Sequence, residues 1–265
     1  MFDEYLKRWA LTRDGDAFTS LNGHLLPVRQ SGVAAMLKVS QQPEEQAGSL
    51  LMAWWAGEGA APVLAQDGEA LLMVRAQGSN SLLRMVEGDQ DDQATRVLCA
   101  VAARLHAPRS KPLPALVPLE QWFESLWRVA ASHTGLLAHS AATARELLAA
   151  PREVAVLHGD IHHENVLDFG PSGWLAIDPK GLYGERGFDY ANLFCNPDAA
   201  SALAPGCFAR RVETVTQVSG IDRKRLLQWI LAWTGLSMAW KLEDQIEIGH
   251  TLAVAQLAAA ALATL

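Results

Sequence analysis

The sequence predicts an α+β chain of two unequal lobes. Three observations point that way. Short apolar runs separated by turn residues crowd into residues 1–76, as in a small, mostly antiparallel sheet with one helix. After Gly78 the texture changes to longer stretches of helical periodicity, giving a larger, mainly helical lobe over residues 77–265. Half of the 265 residues are hydrophobic and 19% are charged, which is enough apolar material for a real core. No repeat or low-complexity linker intervenes, so the boundary near 76–78 reads as a hinge inside one unit.

Strands are expected at Trp9 to Thr12 and Leu25 to Val28, around a polar stretch with Thr19, Ser20, Asn22 and Gly23. A third strand, Ala34 to Val39, follows the turn residues Ser31 and Gly32. Pro43, Glu44 and Glu45 suit a helix start, and periodicity then runs through Leu51 and Trp55 to Gly57. Ala61 to Ala65 and Ala70 to Val74, split by Asp67 and Gly68, read as a hairpin. Helices are expected at 92–106, 119–133 and 140–149, and short strands at Val154 to Leu157 and Trp174 to Ile177. From Phe188 onward the chain reads as helical, broken at Asn196-Pro197, at Ala204-Pro205-Gly206 and at Ser219-Gly220. The apolar stretch 251–265 is shorter than the roughly 20 residues of a membrane span and reads as a packed terminal helix.

Composition narrows the partners. A formal net charge of −7 argues against nucleic acid, which needs a basic surface, and suits a cationic small molecule better. Cys99, Cys195 and Cys207 are odd in number and contain no CxxC pair, so they read as reduced thiols of a cytoplasmic protein. The first residues, Met1 to Tyr5, lack the basic and apolar regions of a signal peptide. The sequence leaves the oligomeric state open.

The chemistry is concentrated in Leu157-His158-Gly159-Asp160-Ile161-His162-His163-Glu164-Asn165-Val166-Leu167, followed by Ile177-Asp178. Asp-x4-Asn and a later Asp after an apolar run have the spacing of a kinase catalytic centre. There the first Asp orients an attacking hydroxyl, and the Asn and second Asp hold the metal that carries the nucleotide. Lys38 ends the apolar run Ala35-Met36-Leu37 and would neutralise phosphate charge. Glu45, on the helix that follows, is its expected partner, with Glu44 second. Taken singly, Lys38 could be a surface lysine, Glu45 a helix-start acid, Asn165 a turn cap and Asp178 a strand-end residue. Together, at these spacings, they favour phosphoryl transfer. A metal-dependent hydrolase built on His158, His162 and His163 is the rival, but Gly159 and the preceding β-run make that segment a loop, not a helix face. Most of the nine tryptophans are expected in the core.

This segment, with Gly173 to Pro179 and Gly184-Glu185-Arg186-Gly187-Phe188-Asp189-Tyr190-Ala191-Asn192, resembles the aminoglycoside phosphotransferase family. Within it the chain is most similar to the streptomycin 6-kinase group, also described as aminoglycoside/hydroxyurea antibiotic resistance kinases. The likeness extends to Leu26 to Gln30, Ala35 to Val39, Ala103 to Ser110 and Trp229 to Trp240. It implies a protein-kinase-like bilobal fold, ATP as donor and Mg2+ as metal. The implied acceptor is an aminoglycoside, most of all streptomycin at its 6-hydroxyl, with inactivation of the drug. Asp160 would be catalytic, and Asn165 and Asp178 would bind metal. Met73, Val74 and Ala76 would hold adenine through backbone groups, although Val74 stands where an acid is expected. A GxGxxG loop is missing, so Thr19 to Gly23, with Ser20, would cover the phosphates.

The acceptor pocket of a guanidinium-bearing drug should be acidic. Glu164, Glu185, Asp189 and Asp198 are candidates for it, with His163. Asp189 has a competing reading as a residue that caps a helix or braces the catalytic loop. Two other functions remain open: a kinase of an endogenous small alcohol or sugar, and a nucleotide-binding module without catalysis. The latter sits poorly with intact Lys38, Asp160, Asn165 and Asp178.

Overall fold

The computed structural model describes residues 1–20 and 23–265. The chain begins with a helix, α1 (Phe2–Arg8), not with the expected strand at Trp9. Asp3 and Glu4 at its start and Lys7 and Arg8 at its end complement the helix dipole. Trp9 and Ala10 form the turn after it. Strands β1 (Leu11–Arg13), β2 (Phe18–Ser20), β3 (Gly23–Gln30) and β4 (Val33–Val39) lead to helix α2 (Pro43–Trp55), and the hairpin β5 (Val63–Asp67) and β6 (Ala70–Val74) completes the sheet. Every pairing in it is antiparallel, in the order β1-β3-β4-β6-β5, with β2 on β3.

Alternation explains the two faces of this sheet. Leu26 and Val28 of β3, Leu37 of β4 and Leu72 of β6 pack with Tyr5 of α1 in a small core on one side. On the other side Leu71 and Met73 join Leu51, Met52 and Trp55 of α2. That second cluster continues into the larger lobe through Leu98, Ala102 and Leu105. The apolar core therefore runs past residue 76 without a break.

The larger lobe opens with α3 (Leu82–Glu87) and α4 (Asp91–His106). The expected helix over 119–133 is two helices, α5 (Leu119–Trp122) and α6 (Glu124–Ala130), preceded by a short strand β7 (Val117–Pro118). Phe123 sits between them, fully buried and packed on Phe188 and Trp229, so tertiary packing interrupts the helix. After α7 (Leu136–Ala149) come β8 (Val154–Leu157), β9 (Val166–Asp168), β10 (Trp174–Ala176) and β11 (Leu182–Glu185). The remainder is helical: α8 (Gly187–Ala191), α9 (Ala199–Ala202), α10 (Cys207–Ser219), α11 (Arg223–Glu243) and α12 (Gly249–Leu262). A further break at 244–248 separates the last two. Helix α11 is buried along most of its length and packs against α6, α7, α8 and α12. Among the described residues no helix is long and apolar enough to cross a membrane.

The small strands place the chemistry. β8 pairs antiparallel with β11, and β9 with β10. The loop from β8 to β9 carries Asp160 and Asn165. The loop from β10 to β11 carries Asp178 and Lys180. Two pairings thus hold two loops side by side.

Candidate active site

The two loops are joined at both ends. Ile177 N–H donates to Asn165 O at 2.9 Å, and Lys180 N–H to His158 O at 2.7 Å. Gly159 lies between, with φ +86°. A Cβ there would sit 3.0 Å from Lys180 Cβ and closer still to Leu182, so the approach requires glycine. Asp178 itself has φ 66°, a left-handed conformation that a non-glycine residue adopts at a cost of about 1–3 kcal/mol.

The loop that carries Asp160 is braced from below. Asp189, fully buried, accepts from the backbone N–H of His158 (2.8 Å) and of Gly159 (2.7 Å), and from His106 Nε2 (2.7 Å). Burial works against its ionisation, but these bonds and the nearby histidines outweigh it and hold the carboxyl below its usual range. His158 donates from Nε2 to Ile177 O (2.8 Å) and accepts Asp160 N–H at Nδ1 (3.2 Å). Both nitrogens are thus used by the neutral ring, and burial lowers its pKa.

Asp160 accepts from Asn192 Nδ2 at 2.8 Å and, more weakly, from Asn165 Nδ2 at 3.4 Å. Asn165 Nδ2 also donates to Asp160 O at 2.9 Å, which leaves its amide oxygen outside these bonds. The carboxylate stays a third exposed, toward an open pocket.

Across the cleft, β4 delivers Lys38 and the first turn of α2 delivers Glu45, both buried. Lys38 Nζ donates to Glu45 and to Asp178. Burial would raise Asp178, yet the charge and hydrogen bond of Lys38, helped by Lys180, hold it below its usual value. Lys180 reaches Glu45 at 3.3 Å, Glu44 at 3.7 Å and Asp160 at 4.0 Å. Its burial lowers the ammonium pKa, but the carboxylates around it raise it by more. Helix α2 comes this close because residue 48 is glycine: a Cβ there would stand 2.1 Å from Pro179 O.

Two cavities border this cluster. A narrow slot is lined by Lys38, Glu45, Gly48, Ser49, Met52, Leu71, Met73, Asp178 and Pro179. Beside it a pocket of about 740 Å³ opens onto Asp160. Its walls are Trp122, Trp233 and Trp240 and the acids Glu44, Glu124 and Asp244, with Lys180 and Arg128. Trp122 and Trp240 meet edge to face at 5.7 Å. Arg128 is itself paired with Glu243 at 2.7 Å. Burial, with the charges of Glu45 and Asp160, pushes Glu44 up against the pull of Lys180.

Residues 8–245 match the model of the aminoglycoside/hydroxyurea antibiotic resistance kinase family. The chain belongs to that family. It is 54% identical over 244 residues to the streptomycin 3''-kinase of Klebsiella pneumoniae, covering 90% of this chain and 91% of that protein. It is 31% identical to the streptomycin 6-kinase of Streptomyces griseus, covering 89% and 80%. Its fold is similar to the solved aminoglycoside phosphotransferase of Streptomyces rimosus, with a TM-score of 0.60 at 20% identity, over 84% of this chain and 92% of that one. The fold is therefore the protein-kinase-like one, and the chain is a phosphotransferase with an alcohol group as acceptor.

Within this kinase the expected core set comes together: Lys38, Glu45, Asp160, Asn165 and Asp178 share one cleft. The expected nucleotide-side residues are more scattered. Met73 lines the slot. Val74 N–H is committed to Pro62 O at 2.9 Å, and Ala76 lies just beyond, packed on the core. Ser20 pairs with Gly23 in the β2–β3 hairpin and donates to its carbonyl at 3.2 Å. Leu21 and Asn22, inside the expected phosphate-covering stretch, lie outside the described residues. Gly23 reaches over Lys38, where a Cβ would stand 3.6 Å from Lys38 Cε.

None of the five expected acceptor residues lines the pocket on Asp160. Glu185 is buried and fully used by Arg225, Trp229 and the Arg152 N–H. Asp189 braces the loop. Asp198 caps α9, accepting from the Ser201 N–H and hydroxyl at 2.9 and 3.0 Å. His163 is buried, with neither ring nitrogen hydrogen-bonded among the described residues, and burial pushes it down to about 3. Glu164 is exposed and lines a different pocket, with Asn80 and Trp174. The chain turns at His162 to Asn165, carrying these side chains away from the Asp160 carboxylate. The residues that do form the walls, Glu44, Trp122, Glu124, Trp240 and Asp244, carry no local motif. Asn192 had a usable signal: it follows Asp189 by one helical turn inside the Gly184 to Asn192 run.

Proposed function

We propose that this kinase transfers the terminal phosphoryl group of ATP to streptomycin, at the 3'' hydroxyl and not, as the sequence resemblance first implied, at the 6 position. The observation that carries the reading is the pocket on Asp160. It is acidic, walled by tryptophan and large enough for a polycyclic cation. Hydroxyurea, also in the family description, would fill a small part of it. The higher identity to the 3''-kinase, 54% against 31%, supports the choice of hydroxyl.

In this mechanism Asp160, held by Asn192, orients the acceptor hydroxyl and receives its proton. The hydroxyl oxygen bonds to the γ-phosphorus as the bond to the bridging oxygen breaks, and the electron pair leaves with ADP. Lys38, fixed by Glu45, neutralises charge on the nucleotide phosphates. The donor set fits magnesium: Asp178 offers a carboxylate and Asn165 an amide oxygen at the same end of the β9–β10 hairpin. A magnesium ion held there would supply charge neutralisation for the phosphate oxygens. Residues 1–76 would form the nucleotide-binding lobe, with the Met73 to Ala76 backbone beside the base and the Ser20 hairpin over the phosphates. The larger lobe would hold catalysis and acceptor.

The test is incubation of the pure protein with Mg-ATP and streptomycin, followed by phosphorus–proton correlation NMR of the product. Coupling to the 3'' proton supports the reading, coupling to the 6 proton moves the site, and no phosphorylated drug rejects the acceptor.

A further inference from the structure

We infer that Lys180 is a second catalytic cation, one that contacts the phosphoryl group as it passes between the two cavities. This rests on the phosphotransfer reading above. Lys180 links the linings of the two cavities, reaching Glu45 of the slot and Asp160 of the pocket. Its neighbour Pro179, with Asp178, lines the narrow slot, whereas Lys180 itself lines the acceptor pocket beside Asp160. A group moving from the Asp178 side to a hydroxyl on Asp160 would come within reach of this side chain.

The ammonium is held ready for that role. It lies 4.0 Å from Asp160 and 3.3 Å from Glu45, and Glu45 in turn holds Lys38, which holds Asp178. The backbone is pinned to the catalytic loop by the Lys180 N–H to His158 O bond of 2.7 Å. None of these contacts saturates the ammonium in the way a single close carboxylate would. They are long and divided among three acids, so an arriving phosphoryl oxygen can replace them.

Charge leaves few other candidates. Asp160, Asp178, Glu44 and Glu45 bring four carboxylates to the cleft, against the ammoniums of Lys38 and Lys180. Lys38 is engaged on the slot side by Glu45 and Asp178. The other cation on the acceptor pocket, Arg128, is paired with Glu243 and Ser125. Among the lysines and arginines, Lys180 is therefore the one next to Asp160 that can meet charge developing on the group in flight. It takes no proton: the proton goes to Asp160 and the electron pair to ADP, as above.

The experiment compares Lys180→Ala and Lys180→Arg with the parent protein. Calorimetry gives the affinity for Mg-ADP alone and for Mg-ADP with aluminium fluoride, a mimic of the group in flight. Kinetics give kcat and KM for streptomycin, and thermal unfolding reports the fold. For Lys180→Ala the expected result is a kcat lower by about 100- to 1000-fold. Affinity for the aluminium fluoride complex should fall by a similar factor, with Mg-ADP affinity and KM changed less than about threefold. Lys180→Arg should recover part of both losses.

A structural brace would behave differently. Loss of Mg-ADP affinity as large as the loss of kcat, or undiminished aluminium fluoride binding, overturns the inference. Should Lys180→Ala fail to fold, Lys180→Arg carries the test: parent-level kcat together with weakened Mg-ADP binding would overturn it. The aluminium fluoride measurement needs no acceptor. It still reads Lys180 if the parent protein proves inactive on streptomycin, so the two failures are distinguishable.

Discussion

Glu45 and Glu185 are almost equally hidden from solvent, at 5% and 4% exposure, yet their partners differ in kind. Glu185 sits inside the larger lobe against Arg225, whose Nε and Nη2 reach its two oxygens at 2.8 and 2.5 Å. Trp229 Nε1 at 2.7 Å and the Arg152 N–H at 2.8 Å fill the remaining positions. Glu45 faces the cleft and meets two lysines, each shared with another carboxylate. A guanidinium fork locks one geometry, whereas an ammonium is a compact charge that can change partners. Burial of a carboxylate therefore does not reveal its use. The saturation and chemical type of its donors do.

That contrast can be broken by substitution. On the cleft side, Asp160→Ala should lower kcat by about 100- to 10,000-fold with a near-parental melting temperature. Steady-state kinetics and calorimetric melting would check this, and an active variant would remove Asp160 from the mechanism. On the core side, Glu185→Ala leaves Arg225 buried and unpaired and should cost about 3–5 kcal/mol of stability. Urea unfolding measures that cost, while kcat per folded molecule should stay close to parental. Between these lies Glu45→Gln, which keeps the shape and removes the charge facing Lys38. The loss of a charge-assisted bond, about 1.5–3 kcal/mol, should appear as a roughly 10- to 100-fold drop in kcat/KM for ATP with little loss of stability. If Glu45→Gln instead mainly destabilised the fold, the two carboxylates would be alike after all.

The smallest effect concerns pH. Burial depresses the His158 pKa below 6.5, so the unfolded chain binds a proton that the folded chain refuses. This stability is fully present above about 6.5 and is lost as pH falls from there toward the folded-state value. The urea midpoint should therefore drop between pH 7.5 and 5.5. His158→Asn should reduce that slope, and an unchanged slope would exclude His158 as its source.

The sequence made the cluster around Asp160 more legible than the walls of the pocket beside it, for a physical reason. Asp160, Asn165 and Asp178 lie on two loops joined by short strands, so spacing along the chain nearly fixes spacing in space. Lys38 and Glu45 are one strand and one helix start apart, and local pattern could place them together. The pocket on Asp160 is different. Trp122, Glu124, Trp240 and Asp244 come from α5, α6 and the end of α11, and only tertiary packing assembles them. Glu185 was misread for the same reason: its partner Arg225 lies forty residues away, and an isolated acid looks like a free one. In the fold, α1 escaped notice because it is a single short helix whose stability depends on packing against the sheet. The split at Phe123 could not be foreseen because a buried aromatic stack imposes it.

The contact between α2 and the Asp178 loop also bears on how such an enzyme can change under selection. Gly48 meets the Pro179 carbonyl with no room for even a methyl group. Any side chain there would displace the loop that carries Asp178 and Lys180. The tryptophans of the pocket on Asp160, with Glu124 and Asp244, lie on other elements, where a substitution reshapes the cavity and leaves that contact in place, whereas Glu44 shares α2 with Gly48. The architecture thus divides the site into walls that can change one residue at a time and a fixed contact that cannot.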